Sequence, residues 1–254
     1  MTTQVGLGLS VTTLGCFELS FAGEPLPAHL WKRDKSLQLF QYLLTTRGAF
    51  LHREVVTNAL WPELTATAAE RDFKVALNGL QQALSVTGDS GWIRRNGVSY
   101  ALDFTHLVLD AQQFEQGVAQ GNAHRKTDPT ASIARFREAV SLYKGMFLPN
   151  RPYDDWASDM RERLHVLALS TMTQLGDLVL SENPTESLHL AQQVLGFERG
   201  WEDAYRLAMR AYVALGNRPM ALRTYEKCAD VLADVYDVEP LPQTEQLYIQ
   251  IKQL

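Results

Sequence analysis

Ala68-Ala69-Glu70-Arg71-Asp72-Phe73-Lys74-Val75-Ala76-Leu77-Asn78-Gly79-Leu80-Gln81-Gln82-Ala83-Leu84-Ser85 is the stretch on which the reading of the chain turns. Its apolar residues recur at helical spacing, and the run is long enough for about five turns at roughly 3.6 residues each. Phe73, Ala76, Leu77, Leu80 and Leu84 gather on one side as a stripe for burial. Arg71, Lys74, Val75, Asn78, Gln81 and Gln82 gather on the other: two cations, three amides and, on this reading, no acid. Cations hold phosphate, and an Asn or Gln amide can bond an adenine edge through two hydrogen bonds. A solvated face on a core-packed helix accounts for the same pattern when the stretch is taken alone. What flanks it weighs on the choice.

Upstream, Val11 to Phe21 reads as strand, with Phe17, Leu19 and Phe21 alternating. Ala22-Gly23 is a turn, and Glu24 to Leu26 returns; Pro25 and Pro27 suggest a sheet edge. A small antiparallel sheet is expected. A first helix opens at Asp34-Lys35-Ser36, turns Leu37, Phe40, Leu43 and Leu44 inward, and ends at Gly48. A second runs from His52 to Trp61 with Val55, Val56, Ala59 and Leu60 inward, and Pro62 stops it. Downstream of the opening stretch, Thr87-Gly88-Asp89-Ser90-Gly91 is a turn cluster. Asn96-Gly97 then joins two β-rich runs, Trp92 to Arg95 and Val98 to Leu102, the pattern of a hairpin. Sheet, three helices and hairpin in this order predict an α+β winged helix-turn-helix, whose third helix enters the major groove while the hairpin lies along the backbone. Arg94 and Arg95 sit near the hairpin tip, where a wing that approaches phosphate needs cations; an ordinary exposed hairpin would also carry them for solubility.

The 254 residues suffice for two domains, and a hydrophobic share of 46% with 21% charged residues is that of a globular chain. No run approaches the length of a membrane span, and the first ten residues do not read as a secretory leader. Two lone cysteines, Cys16 and Cys228, suit a reducing compartment, so a cytoplasmic location is expected. The net charge of −5 argues mildly against nucleic acid, but residues 1–104 hold nine cations and nine anions, so the excess acid belongs to residues 105–254. A neutral domain binds DNA if its cations share a face.

After Leu102 the strand signals stop. Helical periodicity runs from Leu109 to Gly121, from Pro129, through Tyr153 to Ser181, and then over Pro184 to Gly196, Glu202 to Leu215, Pro219 to Val235 and Gln243 to Gln253. A shift of 34 residues superposes Val179 on Val213, Asn183 on Asn217 and Leu188 on Leu222; Ala208, Tyr212, Gly216, Ala221 and Tyr225 add small and aromatic positions. A period of about 34 residues is the tetratricopeptide signature, in which helix pairs stack because none hides its apolar face alone. Residues 1–104 are therefore expected as a winged helix-turn-helix domain with a C-terminal hairpin wing, and 105–254 as an all-α, tetratricopeptide-like domain.

Leu14-Gly15-Cys16-Phe17, Trp31-Lys32, Leu37 to Leu44, His52-Arg53-Glu54, Leu60-Trp61-Pro62, Val75-Ala76-Leu77, Tyr100-Ala101-Leu102 and Leu109-Asp110-Ala111-Gln112-Gln113-Phe114-Glu115 follow one another in an order and spacing that resemble the SARP-type transcriptional regulators. The likeness spans roughly residues 11–254. It implies an OmpR-like winged helix followed by a bacterial transcriptional activation domain. It also implies a cytoplasmic bacterial activator that binds promoter repeats and engages RNA polymerase. In this chain the recognition helix would be Ala68 to Ser85, the wing tip Arg94 to Gly97, and the start of the activation domain Asp110 and Phe114. The family usually carries two arginines where this chain has Gln81-Gln82, which weakens the phosphate contribution here.

No catalytic or metal-binding arrangement stands out. The six histidines are scattered, no Cys-x-x-Cys or His-Glu-x-x-His occurs, and Gly6-x-Gly8 lacks the context of a dinucleotide site. His52 is read at the start of the second helix, and Asp154-Asp155 as helix N-terminal charge. The expectation is a non-enzyme without cofactor. Arg71, Asn78 and Gln82 would read bases; Lys74, Arg94 and Arg95 would hold phosphate, with Lys32, Arg33, Lys35 and Arg53 as further backbone contacts. Expected partners are double-stranded DNA, RNA polymerase or another transcription protein, and a second copy of the chain on DNA, with no membrane. The alternative is a protein-interaction module in which the winged helix is degenerate.

Overall fold

The computed structural model describes residues 8–88 and 91–254. Asp89 and Ser90 of the expected turn cluster, and the residues before Gly8, lie outside the described residues. The chain divides into two compact units: one holds the chain up to Gln112 together with Met146–Leu164, the other Gln113–Gly145 and His165–Leu254. The sequence reading puts a single boundary after residue 104; the compact units are instead discontinuous along the chain.

The first unit runs β1 (Leu9–Thr12), β2 (Glu18–Phe21), β3 (Glu24–Pro25), α1 (Asp34–Thr45), β4 (Leu51–His52), α2 (Arg53–Leu60), α3 (Ala66–Leu84), β5 (Ile93–Asn96), β6 (Ser99–Leu102), β7 (Leu107–Leu109) and the start of α4 (Asp110–His124). Two sheets form, ordered β3-β2-β1-β7 and β4-β6-β5. The stretch from Val11 to Phe21 is not one strand. It folds back between Thr12 and Glu18, so that Leu9 faces Phe21 across an antiparallel pair. The first sheet is also mixed rather than antiparallel, because β7 lies parallel to β1. A parallel neighbour requires a long crossover, and the three helices and the hairpin supply it. The expected helices are present; of the residues expected inward, Leu37 and Ala59 are half-buried and Val55 points outward at 48% exposure. The short helix α2 buries Val56 and Leu60, and Val55 falls one step off that stripe.

Two buried polar arrangements close this unit. The carboxylate of Asp110, at the first position of α4, accepts hydrogen bonds from Thr13 N (2.8 Å), Thr13 Oγ1 (2.6 Å), Leu14 N (2.9 Å) and Ala111 N (2.7 Å). A buried carboxylate is tolerated when donors fill its lone pairs, and here the donors converge from the chain reversal after β1. The irregular segment after Gly145 then folds onto the same region. Leu148 N donates to Thr13 O (2.8 Å), and Phe147 pairs with Leu14. Arg151 Nε donates to Gln41 Oε1 (2.8 Å), and its guanidinium forks onto Asp34, whose carboxyl it holds below the usual range. Gln38 donates to Asp154 Oδ1 (3.1 Å). Both ends of the Gln41 amide, and the Nε2 of Gln38, are thus bonded from more than a hundred residues away.

The second unit contains the rest of α4 and of α6 (Ser158–Val179), with α5 (Pro129–Leu142), α7 (Pro184–Phe197), α8 (Glu202–Ala214), α9 (Arg218–Tyr236) and α10 (Pro242–Gln253). Helices α5, α7 and α9 begin in the same way. Asp128 caps Ala131 N (2.9 Å), Asn183 caps Glu186 N (3.1 Å), and Asn217 caps Met220 N (3.3 Å), each with proline in the first turn. Four residues after each cap comes a small, fully buried residue: Ser132, Ser187 and Ala221. Seven later comes a second buried residue: Ala139, Val194 and Cys228. Every second helix therefore inserts the same small stripe between its neighbours, which is what allows the pairs to stack. Arg137 forks onto Glu186 (both bonds 2.7 Å) to link α5 to α7, and Arg210 reaches Asp177 (2.5 Å) to link α8 to α6. Burial drives the thiol of Cys228 up to about 12, so it serves as a small core hydrophobe.

Candidate nucleic-acid interface

Helix α3 separates its two sides as the periodicity predicts, except that Leu77 is only half-buried. Phe73, Ala76, Leu80 and Leu84 are buried, joined by Ala69 and Ala83. Arg71, Lys74, Val75, Asn78, Gln81 and Gln82 are all exposed. Gly79 is explained by packing: a Cβ there would overlap the hydroxyl of Ser36, a buried residue of α1. Its helical cost of about 1 kcal/mol is what close approach of α1 and α3 requires. Among the described residues, the side-chain amides of Asn78, Gln81 and Gln82 make no hydrogen bond to the protein, so their donors and acceptors are uncommitted.

The cations of this side are not free of acid, which corrects the sequence reading. Glu70 sits between Arg53 of α2 (2.8 Å) and Lys74 of α3 (3.0 Å). The hydrogen bond from Lys74, and then the charge of Arg53, hold the Glu70 carboxyl below its ordinary range. Arg71 Nε lies 3.2 Å from Asp72 Oδ1. Glu70 precedes Lys74 by four residues, the spacing at which helical ion pairs form, so this part of the bridge has a signal in the sequence.

The hairpin differs in its turn and in how its arginines are held. Asn96 pairs with Ser99, so the two-residue loop is Gly97-Val98 rather than Asn96-Gly97. Gly97 takes φ 59°, a first central position that glycine fills without strain. The Arg94 guanidinium lies over the ring of Phe50 (5.2 Å), and that of Arg95 over Tyr100 (5.7 Å), with Arg95 Nε donating to Gly97 O (2.9 Å). Both arginines are exposed. Phe50 carries no signal for this part in the sequence; the structure leaves its ring 38% exposed beneath Arg94. Contacts tie the three elements together. Arg53 N donates to Val98 O (3.0 Å) at the hairpin turn, the Arg53 side chain reaches Glu70, and Phe73 meets Tyr100 edge-on at 4.9 Å.

The remaining cations divide. Lys32 and Arg33 are exposed just before α1. Lys35 is not available as expected: its ammonium donates to Leu60 O and lies over the ring of Trp61 (5.3 Å). It closes the C-terminal end of α2, where a cation complements the helix dipole. His52 caps α2, its Nδ1 accepting from Glu54 N (3.3 Å). Among the described residues no group of three or more His, Cys, Asp or Glu is arranged to hold a metal ion, and no helix is long and apolar enough to cross a membrane.

The family model of the bacterial transcriptional activator domain matches residues 109–252, more than half of the chain. The chain belongs to the bacterial transcriptional activator domain family. That membership bears out the SARP-type resemblance, and the activator-domain match begins at Leu109, one residue before the buried carboxylate of Asp110. Among solved structures, Mycobacterium tuberculosis EmbR in complex with a low-affinity phosphopeptide is similar over 96% of this chain, with a TM-score of 0.82 and 16% identity. The chain spans 65% of that protein's length. That likeness shows the fold: an N-terminal α+β part followed by helices. Two tetratricopeptide structures cover less of this activator-domain chain. They are the TPR2B domain of yeast Sti1 in complex with pHsp70 (TM-score 0.38, 16% identity, 56% of this chain and 98% of that one) and the C-terminal TPR-containing domain of a Plasmodium falciparum FK506-binding protein (0.41, 14%, 57% and 89%). No curated protein sequence matches the chain.

Proposed function

We propose that this chain is a sequence-specific DNA-binding transcriptional activator of the SARP kind. In this reading α1 to α3 with β5 and β6 form a winged helix-turn-helix. α3 enters the major groove, where Asn78 and Gln82 read base edges, joined by Arg71 once it exchanges Asp72 for a base. Lys74, Arg94, Arg95 and Arg53 hold phosphate, with Lys32 and Arg33 at the margin. Lys35 is withdrawn from that set. The observation that carries the reading is the row of exposed, uncommitted amides on α3, in the same unit as an arginine-bearing hairpin. The repeated helix pairs of the second unit offer the surface for RNA polymerase or another transcription protein, and a second copy of the chain would occupy a repeated site. The place of action is the bacterial cytoplasm, and the chain acts by binding rather than catalysis.

Selection of bound fragments from random double-stranded DNA by the whole chain tests this. The expected result is an enriched motif, with half-sites spaced by about one helical turn if two copies bind. Retention of fragments without any sequence enrichment would reduce the reading to non-specific binding. No retention at low salt would remove it, and would favour the protein-interaction module that the acid-paired cations Arg53, Arg71 and Lys74 suggest.

A further inference from the structure

Glu70, like Asp72 beside Arg71, sets a negative charge into the proposed interface, and it alone of these two acids meets cations of two helices. Its carboxylate lies within hydrogen-bonding distance of two cations that would meet phosphate, Arg53 at 2.8 Å and Lys74 at 3.0 Å. Its own side chain is 38% exposed, Lys74 is 67% exposed and Arg53 26%. A solvated surface could hold either cation without an acid. The carboxylate joins α2 to α3 through one anion, fixes the spacing of the two positive groups, and leaves the trio with a single net positive charge.

We infer that Glu70 is a positioning residue that sets affinity: an internal counter-ion that occupies Arg53 and Lys74 until a DNA backbone displaces it. The inference rests on the DNA-binding reading above. Phosphate competes with a tethered carboxylate for the same donors. A duplex held loosely by charge alone must displace Glu70 while making little else. A duplex seated with α3 in its groove gains the contacts of Asn78 and Gln82 as well. The cost of displacing the carboxylate is common to both modes, so it lowers affinity for every duplex and leaves the ratio between them to the contacts in the groove.

The experiment compares the whole chain with its Glu70→Gln variant, which keeps the shape of the side chain and removes its charge. Fluorescence anisotropy on random-sequence double-stranded DNA is recorded over a range of salt, beside the best sequence recovered by selection. The variant is expected to bind random DNA about fivefold more tightly, with a log–log salt slope steeper by about 0.9, the value of one more phosphate contact. Affinity for the selected sequence rises by the same factor, so the ratio is kept. The gain should vanish when Glu70→Gln is combined with Lys74→Gln and Arg53→Gln, because it acts through those cations. An unchanged melting temperature separates this from loss of fold. If the parent chain binds DNA and the variant binds random DNA equally or more weakly, Glu70 is a plain structural bridge and the inference is overturned while the DNA-binding reading stands. If neither binds at any salt concentration, both fall.

Discussion

The two units are held together in opposite ways. The first depends on contacts that join distant parts of the chain: one buried carboxylate at residue 110 gathers donors from residues 13 and 14, and one arginine at 151 satisfies a glutamine at 41. The second repeats a local device, an Asp or Asn cap followed by proline and a small buried residue, three times along the chain. A non-repeating unit concentrates its stability in a few residues. A repeating unit spreads it over equivalent ones, so each matters less. The proposed interface belongs to the first kind, where a fixed geometry is needed, and the repeated helices supply area.

Asp110→Ala should have the largest effect. It leaves the N–H groups of Thr13 and Leu14 and the Thr13 hydroxyl buried without an acceptor, at a cost on the order of 4 kcal/mol. Chemical denaturation should show the first unit unfolding early while helical signal from the second persists; a single transition at the parent midpoint would count against the contrast. Gly79→Val forces α1 and α3 apart at Ser36 and should cost about 2 kcal/mol, read as a lowered midpoint with loss of any DNA binding. Asn217→Ala removes one cap of three and should cost about 1 kcal/mol. A loss as large as that of Asp110→Ala would show that the second unit is not distributed as argued. Arg94→Ala with Arg95→Ala should cost no more than about 1 kcal/mol, since both side chains are exposed and each gives up one cation–π contact. The same pair should weaken binding to all DNA sequences alike, checked by anisotropy on several duplexes. Asn78→Ala should change stability by no more than about 0.5 kcal/mol but relax preference at one base pair by about 1–3 kcal/mol.

Periodic signals account for what was legible in the sequence. The stripe Phe73, Ala76, Leu80, Leu84 gave α3 and the side it exposes, and Asn183 with Asn217 gave the repeat. Signals that depend on distant partners were not legible. β7 is three residues long and is a strand because β1 lies beside it. The segment around Arg151 has no regular structure of its own, and its role is set by Asp34 and Gln41. Lys35 read as a surface cation because its acceptor, the Leu60 carbonyl, is twenty-five residues away in a different helix. Glu70 is the contrary case: its spacing from Lys74 was readable, but Arg53 was needed to show that it bridges two helices.

The salt dependence of binding to double-stranded DNA tests the central claim most directly. With about five phosphates held by Arg53, Lys74, Arg94, Arg95 and the cations before α1, the logarithm of the association constant should fall against the logarithm of salt concentration with a slope of about −4 to −5. A slope near zero would contradict the account, because no arrangement of these cations against a duplex leaves counter-ions in place.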